Sequence, residues 1–97
     1  MYQVNNQIKD QEYKGLQIQK LKQNSNFEIL SISLEKGSKL PEHSSPEDAQ
    51  LILLEGEIIF HINNEAYNLI CHQNISFPKE TPHWVLANEN SKFLIIR

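Results

Sequence analysis

Several residue types are scarce in this chain of 97 residues, and each scarcity argues against a class of protein. Cys71 is the only cysteine, so no disulfide can form within the chain, and we expect a reduced, cytoplasmic setting. The nine Lys and Arg residues are scattered, which argues against nucleic acid as a partner. No apolar run approaches the length that spans a bilayer, and the first residues, "MYQVNNQIKD", lack the basic and apolar regions of a signal peptide, so we expect no membrane partner.

Helix signals are also few, and short alternating or apolar runs fill the chain instead. These runs are "GLQIQKL", "FEILSISL", "QLILLEGEIIFHI", "EAYNLI", "NISF", "HWVLA" and "KFLIIR". Strand-like runs that recur every roughly 8–12 residues between turn residues are typical of a sandwich or barrel. The sequence therefore predicts an all-β fold in one domain over residues 1–97, with N-terminal strands and an arm in residues 1–25 and the main barrel in residues 26–97.

Local chemistry predicts two of the connections. Asn63 and Asn64 lie between two of the runs, and asparagine tolerates positive φ, so we expect a tight hairpin turn there. The segment "SPEDAQLILL" fits either a helix capped by Ser45 or a loop followed by a buried strand. Residues 51–54 lack a 3.6-residue spacing and lead directly into Gly56, which favours the loop and strand.

Two motifs then stand out in the right order. The first is Gly37, five residues, His43 and a later Gly56; the second is "HQNISFPKETPHW", which contains His83. Together they resemble the paired motifs of the cupins, and the resemblance covers residues 27–97. It implies a double-stranded β-helix, or jelly-roll barrel, of eight or nine strands.

The resemblance also implies a metal site with an incomplete set of ligands. His43 and His83 match the first and last histidines of the cupin motifs, whereas Ser45 and Ala49 stand where the second histidine and the glutamate are expected. A divalent transition metal is the cofactor that the family would hold there, and we expect it to bind weakly or not at all. Glu47 is an alternative third ligand, because two histidines and one carboxylate form a known iron-binding set. The segment "EHSSPEDAQLILLEGE" also resembles a subgroup of small cupins that lacks the full ligand set.

The same substitutions predict an enlarged, more apolar cavity that would bind a small molecule. Positions 43, 45 and 49 share parity, so their side chains would point to one interior. We expect the binding residues to be His43, Ser45, Ala49, Leu51, Phe60, His83 and Trp84, with a core position left open as the alternative for Trp84. His61 alternates away from its apolar neighbours and is expected on the outer face. If the histidine pair is close and metal-free, burial and mutual repulsion should disfavour its protonation.

Two functions remain open at this point. The first is a small-molecule-binding cupin with weak or no metal, and the second is a metal-dependent enzyme, an isomerase, dioxygenase or lyase, that uses His43, His83 and a non-standard ligand. The fold alone does not decide between them.

The sequence also predicts a homodimer. The run around Gly56 is apolar on both parities, with Ile52, Leu54 and Ile59 on the side away from the core. We expect these three side chains to pack against a second copy through the outer face of a hairpin. The alternative cover for that face is the N-terminal segment.

Overall fold

The computed structural model describes all residues, 1–97, and contains one short helix and nine strands. The elements are α1 (Gln7–Asp10), β1 (Leu16–Gln23), β2 (Glu28–Leu34), β3 (Lys39–His43), β4 (Ala49–Glu55), β5 (Glu57–Ile62), β6 (Glu65–Ile70), β7 (Asn74–Phe77), β8 (His83–Ala87) and β9 (Ser91–Ile96). The all-β prediction is thus confirmed, and residues 1–25 contain α1 and a single strand, β1. No helix has the length and apolar character needed to cross a membrane.

The strands form two antiparallel sheets. The five-stranded sheet has the order β1-β2-β9-β4-β7, and the four-stranded sheet has the order β3-β8-β5-β6. Alternation along the strands decides which side chains face inward, as in β4, where Ala49, Leu51 and Leu53 are buried and the residues between them are not. A single core of 15 buried apolar residues takes members from both sheets. Burial of this kind is the main stabilising contribution in a domain of this size.

Both predicted connections are confirmed. Asn63 and Asn64 turn the chain between β5 and β6 with φ of 52° and 61°. Two consecutive residues with positive φ give a turn whose twist matches that of the flanking strands. The segment before β4 is a loop, and the strand begins at Ala49 rather than after a helix.

The hairpin predicted around Gly56 is wrong. β4 pairs with β7 and β9 in one sheet, whereas β5 pairs with β6 and β8 in the other. Gly56, with φ of 92°, turns the chain from one sheet into the other. Ile52 and Leu54 therefore lie on the outer face of the five-stranded sheet, and Ile59 lies on the outer face of the opposite sheet. These three residues cannot form one surface.

The N-terminal segment is held against the outer face of the five-stranded sheet. The Gln11 side chain donates to the carbonyl oxygens of Gln17 and Ser31 at 3.1 and 3.0 Å, and it accepts from the Ser31 hydroxyl at 2.6 Å. The buried Lys92 ammonium donates to the carbonyl oxygens of Ile8 and Lys9 at 2.8 and 3.1 Å. These contacts cover part of the face, as the sequence allowed.

Candidate functional site

The two motif histidines meet across a pair of strands. β3 ends at His43, β8 begins at His83, and the two residues are directly opposite each other in the ladder. Their ring centroids are 4.4 Å apart, with 61° between the ring planes. His83 is only 3% exposed, whereas His43 is exposed.

A β-bulge brings about this pairing. Leu40 pairs with Val85, and the next pair is His43 with His83, so β3 contains one residue more than β8 between the two pairs. Pro41 lies in the bulge, where its missing N–H does not interrupt a regular ladder. Without the extra residue, Glu42 would stand opposite His83. Bulges are known to redirect a side chain in this way.

The same backbone contact fixes the tautomer of each ring. His43 Nδ1 lies 2.8 Å from the carbonyl oxygen of Pro41, and His83 Nδ1 lies 2.9 Å from the carbonyl oxygen of Thr81. A carbonyl oxygen can only accept, so each Nδ1 carries the proton and donates it. In the neutral rings each Nε2 then has a free lone pair, and neither Nε2 bonds to another group of the chain. The site therefore presents two nitrogen acceptors close together.

The environment of His83 disfavours its protonated form. Burial is the largest influence, and it lowers the pKa of His83 below its ordinary value. The hydrogen bond to the Thr81 carbonyl raises the pKa of His83, while electrostatic repulsion from His43 and Arg97 lowers it further. The expectation that burial and mutual repulsion disfavour protonation is thus confirmed for His83.

A cavity of about 520 Å³ opens between the two sheets beside the histidine pair. Its apolar lining consists of Leu16, Ile18, Leu30, Ile32, Leu40, Ala49, Phe77 and Ile95. His43, Ser45 and His83 supply polar atoms on one side. A mostly apolar cavity of this size with a few polar groups has the make-up of a small-molecule site.

Four of the residues predicted to bind a ligand line this cavity, and three do not. His43, Ser45, Ala49 and His83 line it. Leu51 and Phe60 do not line it; both are fully buried in the part of the core that the cavity does not reach. Trp84 neither lines the cavity nor fills the core.

Trp84 lies on the outer face of the four-stranded sheet. Its ring stacks on that of His61, with centroids 3.6 Å apart, and the Lys39 ammonium lies 5.2 Å from the centre of the Trp84 ring. Trp84 follows the inward-facing His83, so strand alternation turns it outward. The prediction that His61 faces outward is confirmed by this stack.

The sequence reasoning missed a charged cluster on the cavity wall. Arg97 Nε donates to Glu28 Oε1 at 3.0 Å, and the Lys20 ammonium lies 3.3 Å from Glu28 Oε2. All three residues line the cavity. No motif marks these three residues. Strand parity was the one signal that could have indicated that Arg97 faces inward, because Arg97 shares parity with the inward-facing Ile95.

The residues at the site supply too few donors for a tightly held metal. No group of three or more His, Cys, Asp or Glu side chains is placed to hold a metal ion anywhere in the chain. Ser45 Oγ accepts from the Glu47 backbone N–H at 3.3 Å. Glu47 itself is exposed and lines a separate polar depression with Asp48 and Lys79. Two imidazoles fall short of the three or four protein ligands of a stable site.

Known proteins support this fold. No family model matches the chain. A conserved protein of unknown function from Streptococcus pyogenes, known from its crystal structure, is 32% identical, with a TM-score of 0.79 over 88% of this chain and 75% of that one. A cupin superfamily protein from Desulfitobacterium hafniense is 17% identical, and its fold matches with a TM-score of 0.87 over 99% of this chain and 90% of that one.

A curated enzyme is similar over a shorter stretch. An acireductone dioxygenase from Alcanivorax borkumensis is 37% identical over 62 residues, which are 60% of this chain and 34% of the enzyme. This chain thus spans about a third of that enzyme's length.

The fold match extends over nearly the whole chain, and the two motif histidines lie side by side on neighbouring strands. The resemblance drawn from the sequence is therefore confirmed at the level of the fold: the chain has the fold of a small cupin domain.

Proposed function

We propose that this cupin binds a small, largely apolar molecule in the cavity between its sheets, with His43 and His83 as polar anchors and no tightly held metal. The observation that carries the proposal is the cavity of about 520 Å³, which places both histidines beside an apolar wall. The free Nε2 lone pairs would accept hydrogen bonds from a hydroxyl or N–H group of the ligand. We place this function in the cytoplasm, since the one cysteine is free and exposed.

A cavity-blocking variant tests the proposal. Ile18 lines the cavity on β1 and is 52% exposed, so Ile18→Trp should fill the space with little effect on folding. Ile70 is equally exposed at 52% and lies away from the cavity on β6, which makes Ile70→Trp a matched control. A fragment library would be screened against the isotope-labelled protein by amide NMR shifts.

We expect the hits to shift amides of cavity-lining residues in the unaltered protein and in Ile70→Trp, but not in Ile18→Trp. His43→Ala and His83→Ala should fold and bind the same hits at least about tenfold more weakly, because each removes one acceptor. Hits that are insensitive to Ile18→Trp would show that the cavity is not the binding site.

The alternative function is a metal-dependent enzyme. It is favoured by one observation, that Nδ1 of each histidine donates to a backbone carbonyl, which is the arrangement that orients a metal-binding Nε2. The fold match and the similarity to a dioxygenase are compatible with it. The shortage of donors argues against it.

Restoring the missing donors separates the two functions. Ser45→His combined with Ala49→Glu would supply four protein ligands, so we expect divalent nickel, iron or manganese to bind at least about 100-fold more tightly in calorimetry. The matched control is Ser44→His combined with Gln50→Glu, at neighbouring positions that do not line the cavity. Tight, stoichiometric metal in the unaltered protein, with no gain in the variant, would favour the enzyme.

A further inference from the structure

Arg97 reaches the cavity from the end of β9. Its backbone N–H donates to the Glu28 carbonyl at 2.9 Å, and its carbonyl accepts from the Glu28 N–H at 2.6 Å. These two bonds extend the β2–β9 ladder by one pair beyond Ile29 and Ile96. The Arg97 side chain is only 26% exposed.

The side chains at and around Arg97 include more positive charges than negative ones. Glu28 is the single carboxylate that contacts both Arg97 and Lys20. The hydrogen bond from Arg97 is the main cause that lowers the pKa of Glu28, so Glu28 is ionised. Only Nε of the guanidinium is engaged, and both Nη groups have no hydrogen bond or ion pair within the chain. The three side chains of the cluster, two cations and one anion, therefore sum to a positive charge, and the four Nη N–H donors of Arg97 have no partner within the chain.

Arg97 and the histidine pair line the same cavity, and the register shows which residues lie between them. Gln50 pairs with Ile96, so the next residue of β4, Ala49, stands beside Arg97. Ala49 and Arg97 both line the cavity, and the ring centroid of Phe77, the partner of Ala49 on β7, lies 4.6 Å from that of His83. The positive charge of Arg97 also acts on His83.

One other acid lines the cavity. Glu42 lies on β3 in the opposite sheet, where it is exposed and forms no ion pair. Solvent screens an exposed charge of this kind far more than the half-buried Arg97. The free donors on the five-stranded sheet therefore decide which charge the cavity accepts.

We propose that the ligand of this cavity is an organic carboxylate with an apolar body, whose carboxylate pairs with the free Nη groups of Arg97. This inference rests on the proposed binding function and names its substrate class. A planar guanidinium binds a carboxylate through two parallel hydrogen bonds, and such bonds are stronger when they are shielded from water. The apolar wall of Leu16, Leu30 and Ile32 holds the rest of the molecule.

A matched pair of probes tests the inference. The probes are 2-hydroxy-4-methylpentanoate and its primary amide, which have the same apolar body and hydroxyl and differ in charge. Calorimetry would compare them on the unaltered protein and on Arg97→Gln. Lys36→Gln is the control, because it removes one exposed surface cation that does not line the cavity.

We expect the carboxylate to bind at least about tenfold more tightly than the amide, since a charge-assisted pair replaces a neutral contact. Arg97→Gln should reduce this ratio to about one, and Lys36→Gln should leave it unchanged. Arg97→Lys keeps the charge without the two parallel donors, so it should give an intermediate ratio even if Arg97→Gln does not fold.

Three negative results are distinguishable, and they have two different meanings. If the amide binds as tightly as the carboxylate or more tightly, and Ile18→Trp abolishes the binding of both probes, the proposal of a carboxylate ligand is wrong. The proposed binding function of the cavity would then still stand. Failure of both probes while neutral fragments bind in the cavity would overturn it in the same way. Absence of any cavity ligand in the fragment screen would overturn the proposed function, and this inference with it.

Discussion

His83 makes the stability of the protein depend on pH. Its pKa in the folded protein is below the ordinary value of 6.5, mainly because the ring is buried. As the pH falls below that value, the unfolded chain takes up a proton first, so the free energy of unfolding decreases until the folded pKa is reached. The expected loss is about 1.4 kcal/mol for each unit by which the pKa is lowered.

Chemical denaturation at about pH 7.5 and about pH 5.5 would measure this loss. His83→Gln has no titrating ring, so it should lose less stability than the unaltered protein between the two values. The exposed His72→Gln is the control and should behave like the unaltered protein. An equal loss in His83→Gln would show that His83 is not the group responsible.

Sequence reasoning identified the histidine pair but not the whole cavity. The motif spacing was enough to bring His43 and His83 together. Strand parity alone could not separate a cavity wall from a closed core, which is why Leu51 and Phe60 were assigned to the wrong place. Arg97 was missed because its contact with Glu28 depends on a pairing between distant strands, and no local pattern marks that pairing.

Among the elements, the corner at Gly56 determines how the two sheets connect. Gly56 has φ of 92°, and a Cβ there would clash with Ser91 Oγ and the Asn90 carbonyl and lie 2.7 Å from Ser91 Cα. Gly37 has a similar φ of 86°, but a Cβ added there meets nothing within 4 Å. A side chain at Gly37 would therefore cause backbone strain only, whereas a side chain at Gly56 would cause backbone strain and a steric clash.

We expect Gly37→Ala to lower the free energy of unfolding by about 1–2 kcal/mol, from backbone strain alone. Gly56→Ala should lower it by more than about 3 kcal/mol, because β5 or the loop before β9 must also move. Denaturant unfolding of both variants would measure the difference. Equal losses would mean that the corner tolerates a side chain.

The elements themselves were easier to predict than their arrangement. Alternation and turn residues are local signals, and they located the strand after "SPEDA" and the turn at Asn63 and Asn64. A glycine between two apolar strands does not reveal whether the strands pair with each other. The choice depends on the ladders with β7, β8 and β9, which are distant in sequence.

In the whole molecule, the outer face of the five-stranded sheet is more apolar than a solvent-facing sheet needs to be. Five half-buried apolar side chains stand on it away from the core: Ile29, Ile52, Leu54, Leu94 and Ile96. Ile52 and Leu94 are direct cross-strand partners. The N-terminal segment lies on the same face, and beyond it Met1, Tyr2 and Val4 are fully or largely exposed.

A second copy of the chain can cover both the five apolar side chains, here called the apolar strip, and the exposed residues of the N-terminal arm. A two-fold axis over this face would pair the apolar strip of one copy with that of the other and place each N-terminal arm against its partner. Full burial of such side chains contributes on the order of 1.5–3 kcal/mol each before the cost of association, and these are already half-buried, so the gain per residue is smaller. Several residues must therefore act together, and substitution of a central pair should be enough to dissociate the copies.

We expect Ile52→Glu combined with Leu94→Glu to give monomers in sedimentation experiments, because it places two carboxylates at the centre of the strip. Ile59→Glu is the matched control, since Ile59 is also half-buried but lies on the outer face of the other sheet. It should leave the dimer intact. A dimer that dissociates with Ile59→Glu instead would place the interface on the four-stranded sheet. An unaltered protein that stays monomeric at high micromolar concentration would refute the dimer itself.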